Sequence, residues 1–140
     1  MKNTHKSKVF HFQFIGHSDT NPELVRILLH PEFTKVDFGY SAHEIYKRGG
    51  WIRMSLDTFI EVIETKKRYV LKTSEGIPIA PEHHYFESKK DWCYYSLLFP
   101  PIPLKDCTIN IVEIENGISN DFNYYGIDIK MENGIEVLYR

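Results

Sequence analysis

The sequence predicts an all-β chain, an antiparallel sandwich of about eight to ten short strands, and three observations carry that prediction. Runs in which apolar and polar residues alternate recur along its length, and a period of two marks extended backbone with one buried face. Turn formers such as Asn21-Pro22, His30-Pro31, Gly49-Gly50 and Asn133-Gly134 punctuate those runs, at spacings of about 8–12 residues, typical of sandwiches. Aromatic residues make up 14% of the chain, with 9 Tyr, 9 Phe and 2 Trp, and aromatics favour strands. No βαβ rhythm, internal repeat or low-complexity linker interrupts the pattern.

Each element follows from its own residues. "KVFHFQFI" sets Phe10, Phe12 and Phe14 against His11, Gln13 and Ile15. "ELVRILL" begins after Asn21-Pro22 and closes at His30-Pro31. "FTKVDFGYSA" sets Thr34, Val36, Phe38 and Tyr40 against Lys35, Asp37, Gly39 and Ser41, and "WIRMS" follows Gly49-Gly50. Residues 55–66 admit two readings. Leu56, Phe59, Ile60 and Ile63 have helical spacing with Ser55 as a cap, whereas β-branched content and the all-β surroundings favour a strand Phe59–Ile63, a turn Glu64–Lys66 and a strand Arg68–Thr73. "WCYYSLLF" is a strand stopped by Pro100, Pro101 and Pro103, since proline cannot donate to a ladder. "CTINIVEI" and "FNYYGIDIKM" follow, and Asn133-Gly134 before "IEVLY" predicts a two-residue hairpin.

At 140 residues the chain suits a single domain, 1–140, with 1–8 as a flexible start. A chain of about 150 residues buries roughly 68–70% of its unfolded surface, so a core forms without metal or disulfide. Net charge is -2, and the basic residues fall in small groups beside turns, Lys47-Arg48, Lys66-Lys67-Arg68 and Lys89-Lys90. Nucleic-acid binding wants a basic face that releases counterions, so no nucleic-acid partner is expected. Nor is a membrane span, because no segment approaches ~18 apolar residues. "MKNTHKSKVFHFQFIG" does not read as a signal peptide, since His11, Gln13 and Gly16 break the apolar run and no small-residue cleavage site follows. The expectation is either a cytoplasmic protein or a mature form whose leader was removed.

Cys93 and Cys107 are the only cysteines. If they begin consecutive antiparallel strands they stand at opposite ends of a sheet, separated by roughly 20 Å, beyond the ~7 Å limit for a bridge, so both are expected to be free. Their spacing suggests neither zinc nor redox chemistry.

Four stretches carry a resemblance: "GGWIRMS" at 49–55, "EGIPIAPEHHYF" at 75–86, "SLLFPPIP" at 96–103 and "FNYYGIDI" at 122–129. Together they resemble an uncharacterised immunoglobulin-like β-sandwich domain of bacterial envelope proteins, often found ahead of a thioredoxin-like domain. The resemblance covers roughly residues 20–130 and brings no catalytic residues. It implies an immunoglobulin-like sandwich and an exported or envelope setting. No leader is recognisable in this sequence and its two cysteines form no "CxxC", so no redox function is carried over.

Chemistry-bearing residues are sparse. His83 and His84 are adjacent and point to opposite sides of a strand, so they cannot share an ion as a His-x-His pair would. Glu82 and His84 could, with His43 or His30 as a third ligand. A stiff, proline-bearing sheet-to-sheet crossing is the plainer reading of "GIPIAPEHHYF". No serine sits in a Gly-x-Ser-x-Gly elbow, and Cys93 lies inside an aromatic strand pattern, where small buried thiols are common. Glu113 and Glu115 could mimic a carboxylate pair, although an edge-strand solubility device fits better. The aromatics say more. In "CYYS" and "NYYG" adjacent tyrosines must split between faces, leaving outward rings fit for contact. The resulting expectation is a non-catalytic interaction or structural module without cofactors. It binds a protein partner through Trp51, Trp92, Tyr95 and Tyr125, with His83 and His84 in a rim loop. One rival is a carbohydrate-binding module, which requires aromatics lined up along one sheet; the other is a small metal-dependent enzyme using Glu82 and His84.

Overall fold

A computed structural model describes residues 5–16, 21–41, 51–52, 55–76, 84–85, 92–115 and 122–139. The described residues form β1 (His5–Ile15), β2 (Glu23–His30), β3 (Phe33–Ser41), β4 (Trp51–Ile52), β5 (Phe59–Val62), β6 (Lys67–Val70), β7 (Thr73–Glu75), β8 (His84–Tyr85), β9 (Trp92–Phe99), β10 (Cys107–Val112), β11 (Tyr124–Ile129) and β12 (Ile135–Tyr139). One antiparallel sheet runs β12-β1-β2-β3-β9-β7, a second β11-β10-β5-β6, and β4 pairs with β8 alone. The all-β sandwich is as expected. Its strands outnumber the eight to ten foreseen because β4, β7 and β8 are only two or three residues long, too short for a visible alternation.

The two large sheets close over one interior. Phe10, Leu24, Ile27, Leu29, Val36, Phe38 and Leu97 of the first meet Ile60, Val62, Ile109, Ile111, Tyr124 and Ile127 of the second in a single buried cluster. The rings of Phe38 and Tyr124 stand 5.3 Å apart across the layers, in the range where aromatic pairs add to area burial. The Tyr124 hydroxyl donates to the Pro22 carbonyl at 2.8 Å, which ties β11 to the start of β2. Asn123, also buried, accepts from the amides of Glu113 and Ile114 and donates to the Ile114 carbonyl. It thereby stands in for strand backbone where the ladder ends.

The open question at 55–66 is decided for strands. Leu56 and Ile63, half of the would-be helical stripe, are exposed, while Ile60 and Val62 are buried at a period of two. Ser55 closes a turn, its hydroxyl accepting from the Asp57 amide. Lys66 takes the left-handed conformation, φ 60°, in the turn joining β5 to β6. The expected strand 68–73 is in fact split between sheets. The Leu71 amide donates to Thr58 and the Lys72 amide to Leu98, so consecutive residues bond to different sheets.

Two further expectations are corrected. Asn133-Gly134 does not close a hairpin, because β11 and β12 belong to different sheets. Residues 131–133 form a turn of 3-10 helix, and Gly134 has φ -80°, outside the left-handed region that a type I′ hairpin demands. The glycine is required by proximity: a Cβ there would meet Phe10 Cζ at 2.8 Å and Lys8 Cδ at 2.9 Å. β9 and β10 likewise lie in different sheets, so the premise about Cys93 and Cys107 fails. Cys107 is nevertheless free and buried, and the side chain of Cys93 lies outside the described residues. The prolines do end β9. Thr34 receives the departing chain, its hydroxyl donating to the Pro100 carbonyl and accepting from the Ile102 amide, both at 3.1 Å.

Candidate functional site

Strand alternation sends the even positions of β3, Thr34 to Tyr40, into the core and leaves Lys35 and Asp37 on the outer face. Pairing then does what alternation cannot, which is to line up residues from different strands. His11 of β1 faces Arg26 of β2, Arg26 faces Asp37 of β3, Asp37 faces Ser96 of β9, and Ser96 faces Glu75 of β7. A polar row therefore crosses five strands. The register shifts beside it, between His11 and Phe14 on β1 and between Leu24 and Arg26 on β2. Such bulges re-aim side chains.

At the centre of the row Nε of Arg26 donates to Asp37 Oδ2 at 2.6 Å, and Oγ of Ser96 donates to Asp37 Oδ1 at 2.6 Å. The Asp37 side chain is only 16% exposed against 48% for Arg26, so the carboxylate is held and the guanidinium faces outward. Lys35, Glu75 and Tyr94 complete a groove of about 400 Å³ over this centre, within the size range of ligand sites. Gly76 forms its far wall with φ 84°; a Cβ there would meet the Tyr94 carbonyl at 2.7 Å. The glycine opening "GIPIAPEHHYF" is thus set by close approach to β9. After Gly76 the next described residues are His84 and Tyr85, paired with Ile52 and Trp51. The stretch therefore does pass from one sheet to another, from β7 of the six-stranded sheet to β8 of the β4-β8 pair, before the chain returns at β9 beside β7. Residues 77–83 and 86–91 lie outside the described residues.

The expected contact residues fare unevenly. Tyr95 is corrected: it is 3% exposed, with its ring 5.1 Å from Phe38 in the interior. Its neighbour Tyr94 takes the outward place, 71% exposed. A local signal for this existed: Tyr95 shares the parity of Leu97 and Phe99, which are buried, and Tyr94 that of the polar Ser96. Tyr125 is outward at 48%, but on the other sheet, beside a bulge where Gly126 has φ 69° and its amide donates to Asn110 Oδ1 at 2.8 Å. Trp51, Trp92 and His84 are placed only as strand backbone; their side chains, with Glu82, His83 and His43, lie outside the described residues.

The remaining candidate groups have structural partners. β10 lies between β11 and β5, so Glu113 and Glu115, just past its end, guard no edge. The Glu113 carboxylate accepts from the amides of Ser55 and Phe122. Glu115 pairs with Arg68 at 2.6 Å, and the Arg68 guanidinium also covers the Phe59 ring at 4.4 Å. Hydrogen bonds donated to Glu115 and then to Glu61 hold the Arg68 pKa above its usual value. Burial, then Glu64, push the Cys107 thiol up, away from the thiolate that redox or metal chemistry needs. Among the described residues no group of three His, Cys, Asp or Glu side chains could hold a metal ion, and no helix is long and apolar enough to cross a membrane. Compared with protein-family models, curated proteins and solved structures, the chain matches none.

Proposed function

We propose that this chain is a non-catalytic binding module that recruits a protein partner through the outer face of its six-stranded sheet. One observation carries the reading: a half-open groove in which the exposed Tyr94 ring stands beside an ion pair held on central strands. Tyrosine offers large contact area with few rotamers to freeze, and arginine beside it is the other residue type enriched in binding hot spots. The resemblance to envelope sandwich domains supports the same reading and adds an exported setting. A carbohydrate platform finds less support among the described residues, where the outward tyrosines Tyr94 and Tyr125 sit on different sheets.

Selection from a random peptide-display library provides the test. Ligands enriched on the wild-type protein are expected to lose about tenfold or more in affinity on Tyr94→Ala, a hot-spot loss, and to be unaffected by Tyr125→Ala. Ligands indifferent to Tyr94→Ala would remove the groove from the account.

A further inference from the structure

The groove's charges are arranged in two corners of opposite sign. Asp37, in the middle, is neutralised by Arg26 and capped by Ser96. On one side, Lys35 is diagonal to Arg26 across the β2–β3 ladder. Lys35 makes no ion pair or side-chain hydrogen bond among the described residues, and Arg26 engages only its Nε. On the other side, Glu75 is diagonal to Tyr94 across the β7–β9 ladder and its carboxylate is likewise unpaired among the described residues. Diagonal cross-strand neighbours lie roughly 7–8 Å apart, close enough to grip one group together.

Resting on the binding-module reading, we infer that the groove takes an extended segment of a protein partner bearing one acidic and one arginine side chain on the same face. The acidic group docks between Lys35 and the terminal nitrogens of Arg26. The arginine pairs with Glu75 and lies over the Tyr94 ring, where a guanidinium gains cation–π attraction. The corners are about two strand spacings apart across the sheet and, with Lys35 and Tyr94 on opposite sides of the polar row, about two residues apart along it, roughly 12 Å in all. Same-face residues two or four positions apart in an extended chain are separated by roughly 7 and 13 Å, and their flexible side chains bridge the difference. A singly charged segment leaves one corner unsatisfied, so both charges are required.

The test uses blocked heptapeptides titrated into the full chain and followed by amide chemical shifts. The probes carry aspartate and arginine two or four positions apart, in both orders, on a threonine background; control peptides replace either charge with threonine. The best bipolar probe should shift the amides of residues 26, 35, 75 and 94–96, and losing either charge should weaken it about three- to tenfold. Lys35→Glu and Glu75→Lys should each abolish the advantage of the bipolar probe over its singly charged counterparts, and raised salt should weaken all binding. Equal binding by bipolar and singly charged probes, shifts outside the groove, or no shifts at millimolar peptide would overturn the inference. If bipolar probes fail while display-selected ligands still depend on Tyr94, the module reading stands and only the charge assignment falls.

Discussion

Replacing Tyr124 with phenylalanine removes a single oxygen from the interior and leaves the ring contacts with Phe38 and Phe14 in place. The hydroxyl donates to the buried Pro22 carbonyl at 2.8 Å, so the variant loses that bond and strands an acceptor without water. The expected cost is about 1–2 kcal/mol, a fall in Tm of roughly 3–6 °C for a domain of this size. The pH dependence gives a second, independent reading. Burial, aided by Glu113 and Tyr40, holds the Tyr124 pKa well above its usual 10.0. A folded-state pKa above the unfolded one gives a contribution complete below pH ~10 and lost as pH rises toward the folded value. One pH unit above the unfolded value, wild type should have lost about 1.4 kcal/mol from this group alone, and Tyr124→Phe nothing from it. Urea unfolding at pH 8 and pH 11 should therefore show the gap between the two proteins closing. A gap of constant size, or a variant as stable as wild type at pH 8, would refute the placement of Tyr124 as a buried, neutral donor.

Two further outcomes are expected. Gly134→Ala should destabilise the fold by about 1–3 kcal/mol through overpacking against Phe10. Phe10→Leu in the same chain should recover part of that as a coupling energy of at least ~0.5 kcal/mol in a double-mutant cycle; an alanine that leaves stability unchanged or raises it would mean the close approach is absent. The Thr108 amide donates to both Glu64 oxygens at 3.0 Å and lowers the Glu64 pKa from 4.5. Its contribution is present above that unfolded value and lost as pH falls through the folded one. Glu64→Gln should flatten the acid limb of a urea-midpoint curve between pH 3 and 7, and superimposable limbs would sink that assignment.

Alternation in β1, β3 and β10 was legible because it is local: each side chain's face follows from its neighbours along the same strand. The proline stop after Phe99 was legible for the same reason, since a missing donor is a property of the residue itself. The strands at 59–62 and 67–70 were half legible, their apolar spacing also fitting a helix until Leu56 and Ile63 proved exposed. Asn133-Gly134 misled because glycine serves two physical purposes, positive φ and close approach, and only the position of Phe10 tells which one applies.

Taken alone, the sequence determined an extended backbone, the two faces of most longer strands and the absence of a dominant charge. Tertiary structure alone decided which strands are neighbours and that consecutive strands such as β9 and β10 part into different sheets. The groove belongs wholly to that second class. Its polar row joins His11, Arg26, Asp37, Ser96 and Glu75, residues far apart along the chain, and lateral register is set by burying the opposite faces against the second sheet. A period of two says which way a side chain points; what stands beside it is settled only when the core closes.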